Sequence, residues 1–187
     1  AFLSENLRAN VGCFIKIDVG THRTGADPKD TKRIEAVMDV IDSSDHMRFM
    51  GFLAHSGHTY RCTSKKEVIE IHEKTRGIML ELKHKYKSRY PDLILSVGDT
   101  PSCSLAENFK GLDEIRPGNF VFYDLTQENI GSNQFEDIAV AMACPLVAKH
   151  PERLEFIIYG GAVHFSKDGL KTDKEGLIFG KVVEKDG

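Results

Sequence analysis

Four short apolar runs punctuate the first two thirds of the chain, with helix-period stretches between them. They are GCFIKIDV (12–19), RFMGFLAH (48–55), LILSV (93–97) and GNFVFY (118–123). Each has the length and the β-branched or aromatic content of a buried strand. Between the first two, Ile34, Val37, Met38 and Ile41 follow helical spacing, and Pro28 and Asp30 supply a start signal. Between the second and third, Val68, Ile71, Ile78, Leu82 and Tyr86 form the stripe of a longer helix. Ser64 and Glu67 match a capping box at its start, Pro91 marks its end, and its Lys- and Glu-rich face reads as solvated surface. A short helix follows the third run. This strand–helix alternation predicts a parallel α/β sheet.

After Tyr123 the pattern changes. Residues 138–148 (IAVAMACPLVA) and 154–163 (LEFIIYGGAV) are strand-like with no helix between them. Asp168-Gly169 and Lys185-Asp186-Gly187 are turn signals. The expected division is an α/β unit over 1–127 and the beginning of an antiparallel β-domain over 128–187, with the boundary in the Asn-, Gly- and Ser-containing stretch 128–134. Four α/β units make half of an eight-stranded barrel. An open doubly wound sheet is the alternative, but no glycine-rich dinucleotide fingerprint follows any strand. Ala1 to Arg8 reads as the last turn of a helix, and the β-region stops mid-pattern. The chain therefore reads as an internal piece of a longer protein, its open barrel edge covered by a partner chain.

Composition narrows the function classes. The 187 residues are 41% hydrophobic and 28% charged, as in an ordinary globular domain. A net charge of -3 gives no electrostatic footprint for nucleic acid or an anionic membrane. No apolar run reaches bilayer length. Cys13, Cys62, Cys103 and Cys144 are dispersed without a CxxC, which reads as reduced thiols in a cytoplasmic protein.

The chemistry-bearing residues sit where the strands end, the place where a β/α barrel keeps its site. Arg23, in the loop Asp18 to Gly25, can donate a planar fork to an oxyanion or pair with Asp18 or a helix carboxylate. His55, His58 and Tyr60 can stack on a ring or relay a proton. A metal needs three or four ligands, and no carboxylate is adjacent to this trio. Gly98-Asp99-Thr100-Pro101-Ser102 opens a helix, so Thr100 is either part of a phosphate cradle or a simple N-cap. In Arg116-Pro117-Gly118-Asn119, Gly118 lets backbone amides approach an anion. Gly160-Gly161 reads as a bulge or close backbone approach.

Taken in order, these phrases resemble the alanine racemase-like superfamily of pyridoxal-phosphate enzymes (fold type III), in its D-serine dehydratase and D-threonine aldolase branch. The phrases are Lys16-Ile17-Asp18 through Arg23 and Gly25, His55-Ser56-Gly57-His58-Thr59-Tyr60, Gly98-Asp99-Thr100-Pro101, and Arg116-Pro117-Gly118-Asn119 leading to Phe122-Tyr123-Asp124. A later phrase is matched by Gly160-Gly161 and Ser166-Lys167-Asp168, with Tyr159 where the family has an acid. The resemblance implies the C-terminal half of a (β/α)8 barrel of alanine racemase type, followed by the start of an antiparallel β-domain. It implies that Arg23 meets the phenolic oxygen of pyridoxal phosphate. His55 and Tyr60 would flank the ring, with His58 close by, and Thr100, Gly118 and Asn119 would hold the phosphate.

The lysine that carries the cofactor in this family, and the histidine-plus-cysteine or histidine-plus-aspartate ligands of its divalent metal (zinc or manganese), would lie outside the chain. The implied activity of the intact protein is a lyase on β-hydroxy D-amino acids, by D-serine dehydration or D-threonine aldol cleavage. It would work as a cytoplasmic homodimer without nucleic acid or membrane partners. These residues alone, lacking the lysine, are expected to be inactive. A racemase of the same fold is the alternative, and would need an opposing acid/base from the β-domain. A non-catalytic pyridoxal-phosphate-binding protein is the other, although the strand-rich tail speaks against a barrel-only carrier.

Overall fold

A computed structural model describes residues 6–172 and 175–183. Ala1 to Glu5 and the Lys185-Asp186-Gly187 turn signal lie outside the described residues. Four strands, β1 (Val11–Ile17), β2 (Met47–Ala54), β3 (Ile94–Val97) and β4 (Glu114–Ile115), form one parallel sheet in sequential order. Helix α1 (Thr31–Asp42) connects β1 to β2, and α2 (Lys65–Tyr86) connects β2 to β3. Short helices α3 (Thr100–Leu105) and α4 (Leu125–Ile130) follow β3 and β4.

The register explains which face is covered. Ile17, Ala54, Val97 and Ile115 stand side by side across the strands, and so do Lys16, Leu53, Ser96 and Glu114 in the neighbouring row. The first three of the Ile17 row are buried in one core with Ile34, Met38 and Ile41 of α1 and Met79, Leu82 and Tyr86 of α2. Both helices therefore pack on the same face of the sheet. A doubly wound sheet carries helices on both faces, whereas a barrel carries them outside only. The sheet is part of a barrel, and the Lys16–Leu53–Ser96 row lies on the face away from the helices.

Local sequence sets the helix ends. Asp30 caps α1 by accepting the Arg33 amide at 3.1 Å. Val37 matches the spacing but is 40% exposed, beside the stripe that Ile34, Met38 and Ile41 bury. At α2, Ser64 accepts the Glu67 amide at 3.4 Å, while the Glu67 carboxylate accepts the Thr63 amide at 2.8 Å. The return half of the capping box thus lands one residue early. The helix stops at Tyr86, ahead of Pro91.

The fourth run differs from expectation. Gly118 to Tyr123 is not a strand. The strand is Glu114–Ile115, and the Arg116 amide adds one bond to the Val97 carbonyl at 2.8 Å. Pro117 has no N–H to continue the ladder. Gly118 then turns (φ -96°, ψ -59°) into a 3-10 turn over Asn119–Val121. Phe120, Val121 and Phe122 are left about half exposed. Helix α4 runs on through residues 127 and 128, and Ile130 packs with Cys62 and Val68.

Two antiparallel pairs follow: β5 (Leu146–His150) with β6 (Glu155–Ile158), and β7 (Leu170–Thr172) with β8 (Gly176–Ile178). Residues 138–145, expected as strand, carry none; the strand begins only after Pro145. At Gly160 an added Cβ would lie 2.7 Å from the Phe165 ring, so the close approach there is to an aromatic side chain. All four cysteines are free. Among the described residues no helix is long and apolar enough to cross a membrane.

Candidate active site

The loops that leave the C-terminal ends of β1 to β4 are tied to one another by side-chain bonds. The Thr21 hydroxyl donates to the His55 carbonyl at 2.7 Å and lies 3.2 Å from His58 Nδ1. Its single proton is given to the carbonyl, so its oxygen accepts from His58 Nδ1–H. His55 Nδ1 donates to the Gly98 carbonyl at 2.6 Å, which leaves Nε2 as the ring's acceptor. Gly98 lies against the fourth strand end, where an added Cβ would sit 2.5 Å from the Arg116 carbonyl oxygen.

The loop after β3 is built on Asp99, not Thr100. Asp99 is the N-cap of α3: its Oδ1 accepts the Ser102 amide at 2.8 Å. Thr100 is therefore not the N-cap: it is already the first residue of α3, and Asp99, extended at φ -163° and ψ 150°, stands at the cap with its carboxylate on the Ser102 amide. The same Oδ1 accepts the buried Thr59 hydroxyl at 2.8 Å, joining the 3-10 turn Gly57–Arg61 to α3. The Tyr60 hydroxyl accepts the Thr100 amide at 3.2 Å, and the Thr100 hydroxyl accepts the Asn119 amide at 2.9 Å. Asn119 Nδ2 donates to the Asp124 carboxylate at 2.7 Å. Around Gly118 nothing lies within 4 Å of an added Cβ.

An open cleft of about 580 Å³ is lined by Thr21, His22, Arg23, His55, Gly57, Tyr60 and Arg61. Within it the His55 and Tyr60 rings are 6.4 Å apart, tilted by 37°. Asp18 does not pair with Arg23. It accepts the amides of Gly20 and His22, each at 3.0 Å, and the His22 ring at 3.1 Å. Burial pushes the Asp18 pKa up, but these His22 and Gly20 bonds together outweigh it and hold the carboxyl below 3.8. With Asp18 so engaged, Arg23 keeps its guanidinium free in the cleft. Of the residues expected at the site, Arg23, His55 and Tyr60 share this cleft. Thr100 joins it through Tyr60, Asn119 joins through Thr100, and His58 lies behind Thr21.

Arg116, Arg61, Thr21 and Asp99 join the site in the structure beyond the residues that the sequence marks. Arg116 reaches across the uncovered face, giving Nε–H to the Ser96 hydroxyl and an Nη–H to the Ala54 carbonyl, both at 2.7 Å. Its place beside Ser96 follows from the strand register, which the short β4 hides in the sequence. Asp99 had a signal, an acid directly ahead of a Thr-Pro helix start.

His58 gives a pH-dependent prediction. Burial is the largest influence on it and outweighs the opposing pull of Asp99, so its pKa lies below the ordinary 6.5. The unfolded chain then binds the proton at higher pH than the folded one. Stability is complete above the unfolded value and falls as pH drops through 6.5 toward the lowered folded value. His58→Gln keeps a donor for Thr21 but cannot titrate. Between about pH 7.5 and pH 5 its Tm is expected to fall less than that of the wild type.

Comparison with known proteins agrees with this geometry. The alanine racemase N-terminal domain family matches residues 2–125. D-serine dehydratase of Dictyostelium discoideum is 35% identical over 162 residues, 83% of this chain and 41% of that protein. D-threo-3-hydroxyaspartate dehydratase of Delftia sp. is 27% identical over 176 residues, 93% of this chain and 46% of that protein. Its solved structure gives a TM-score of 0.78 over 84% of this chain and 42% of that one, and a mutant of it has been solved in a metal-free form. An alanine racemase-like protein of Idiomarina loihiensis, 24% identical, shares the fold with a TM-score of 0.76 over 90% of this chain and 44% of that one. The chain spans less than half the length of the curated relatives it matches. With its helices on one face of a sequential parallel sheet and its polar loops gathered at the strand ends, the chain belongs to the alanine racemase N-terminal domain family.

Proposed function

We propose that these residues form the cofactor-cradling half of a pyridoxal-phosphate-dependent lyase that dehydrates β-hydroxy D-amino acids, D-serine among them. The observation that carries the reading is the cleft itself: an unpaired Arg23 and the neighbouring rings of His55 and Tyr60 in one lining that contains no carboxylate. A phenolate suits a guanidinium, a flat heteroaromatic ring suits a histidine and a tyrosine, and a phosphate suits the Thr100 hydroxyl, whose proton is free because its oxygen accepts the Asn119 amide, beside the unobstructed Gly118. The residues present therefore fit the cofactor. When bound, it supplies an electron sink for negative charge developing at the substrate Cα.

The chain's own groups hold and orient. Arg23 keeps the phenolic oxygen anionic. His55, its Nδ1 proton committed to Gly98, presents Nε2 as an acceptor. Tyr60 fixes the first amide of α3. Among the described residues no group of three or more His, Cys, Asp or Glu side chains is gathered to hold a metal ion. The cofactor lysine and a divalent metal, zinc or manganese, belong in this proposal to the rest of the protein. So do a cytoplasmic location, homodimer formation and a division between barrel and β-domain near residue 128.

The test uses the full-length protein. Titration with pyridoxal phosphate is expected to give a bound-cofactor visible absorption band, and D-serine to yield a 2-oxo acid and ammonia. Arg23→Leu is expected to weaken cofactor uptake about tenfold, in line with the loss of one charge-assisted contact. No absorbing complex in the wild type refutes the reading; L-serine as the product would mark a racemase instead.

A further inference from the structure

We propose that Arg61 is the residue that recognises the substrate's carboxylate, so that the cleft selects amino acids over amino alcohols. The inference rests on the functional reading above and adds the part of the substrate that reading leaves unassigned. Arg61 is the last residue of the 3-10 turn that carries His58 and Tyr60, and it lines the same cleft as Arg23. Neither guanidinium makes a hydrogen bond or ion pair among the described residues. Asp18, Asp99, Glu67 and Glu70 each have another partner. Asp18 is bonded to Gly20 and His22, and Asp99 to Thr59 and Ser102. Glu67 accepts the Thr63 amide, and Glu70 lies 3.9 Å from Lys66. Arg61 also lines a neighbouring hollow with Glu67, Glu70 and Lys74, yet is ion-paired to neither acid.

The base of Arg61 is fixed, which an exposed arginine on a free loop would lack. Two residues before it, Thr59 is fully buried and bonded to Asp99; directly before it, the Tyr60 hydroxyl holds the Thr100 amide; directly after it, Cys62 is buried and its amide bonds the Thr59 carbonyl at 3.1 Å. A guanidinium projecting from a pinned turn is pre-organised for a two-pronged contact with a carboxylate. Arg23 is allotted to the cofactor's phenolic oxygen, which leaves Arg61 as the cleft's remaining permanent cation. An α-amino acid brings the matching anion; the corresponding amino alcohol does not.

The experiment compares Arg61→Met and Arg61→Lys with the wild type in the full-length protein. For Arg61→Met the KM for D-serine is expected to rise about tenfold or more, with kcat and pyridoxal-phosphate affinity changed little. Arg61→Lys, which keeps the charge and loses the fork, is expected to recover part of that loss. Competitive inhibition by 2-amino-1,3-propanediol, which has the amine and hydroxyl of serine but no carboxylate, is expected to be equal in all three. An unchanged KM in Arg61→Met overturns the inference while leaving the functional reading intact. So does equal weakening of the amino alcohol. If the wild type takes up no cofactor, the functional reading fails instead. The inference is then decided by calorimetry with malonate on the cofactor-free protein: loss of binding in Arg61→Met supports it, and equal binding overturns it.

Discussion

Asp99→Ala is expected to cost about 2–3 kcal/mol of stability and to raise the Kd for pyridoxal phosphate about thirtyfold, while Asp99→Asn recovers most of both. Asp99 is 4% exposed, and one of its oxygens serves two elements, the Thr59 hydroxyl of the 3-10 turn and the Ser102 amide of α3. Alanine removes that shared acceptor inside the protein. The Thr59 hydroxyl still has the Ser56 carbonyl at 2.9 Å, but the Ser102 amide loses its side-chain partner, and the two elements lose their buried tie. Each of these losses is worth about 1–2 kcal/mol. The effect on the cofactor follows from what the two elements carry. Tyr60 lies on one and Thr100 on the other, and they are joined by a long 3.2 Å bond. A ligand that needs both in place must then reorder them, and its apparent affinity falls with the fraction already ordered. Asparagine keeps an oxygen at the same position, so recovery there separates the acceptor from the charge. The checks are denaturant unfolding and a cofactor titration on the same three proteins. Equal cofactor affinity in Asp99→Ala and the wild type would show that the two loops are held independently.

The contrast between Asp99 and Thr100 shows what the sequence could convey. Its strands and helices were legible where one burial rule governs a whole face. Ile34, Met38 and Ile41 all meet the sheet, and Ile15, Ile17 and Val19 all meet the helices, so periodicity alone finds them. Legibility fails where a side chain answers to a partner distant in sequence. His72 and Thr75 close the buried stripe of α2 although they are polar. His72 Nε2 donates to the Asn108 carbonyl at 2.8 Å, and the Thr75 hydroxyl meets that of Ser56 at 2.9 Å. The Gly118–Tyr123 run fails for a different reason. Its composition favours a strand, but Pro117 ends the ladder before the run begins, so strand propensity is overridden by one missing donor. At the site, the residue types at the strand ends marked the cleft, because a barrel collects whatever its βα loops carry. The assignment of each atom did not follow. The choice between Asp99 and Thr100 as cap, and between Asp18 and open solvent as the partner of Arg23, depends on reach in three dimensions.

Gly51→Ala is expected to be the most damaging single-methyl addition in the sheet, costing about 4 kcal/mol or more and leaving the protein largely unfolded or insoluble. Gly51 sits in the middle of β2 at a bulge. Cys13 pairs with Phe49 and Phe14 with Gly51, so Met50 is the extra residue. The bulge holds Gly51 at φ 150°, a conformation that side chains rarely adopt. It also brings β3 against its α-carbon: an added Cβ would lie 1.9 Å from the Ile94 carbonyl oxygen and 2.7 Å from the Ile94 nitrogen. Both atoms are backbone of the paired strand, so no rotamer change relieves the contact. Either β2 and β3 separate or the bulge is lost. Losing the bulge shifts the register of β2 by one residue and turns Phe52 and Ala54, both fully buried, to the opposite face. The site fails with the fold, since His55 is the next residue beyond the strand. Gly77→Ala is the matched control. Gly77 lies inside α2, with nothing within 4 Å of an added Cβ. There the same methyl is expected to stabilise by about 0.5–1 kcal/mol through helix propensity alone. Thermal unfolding of the two variants beside the wild type decides the matter: opposite signs locate the cost in the β2–β3 contact, and a tolerated Gly51→Ala would show that the bulge is not fixed.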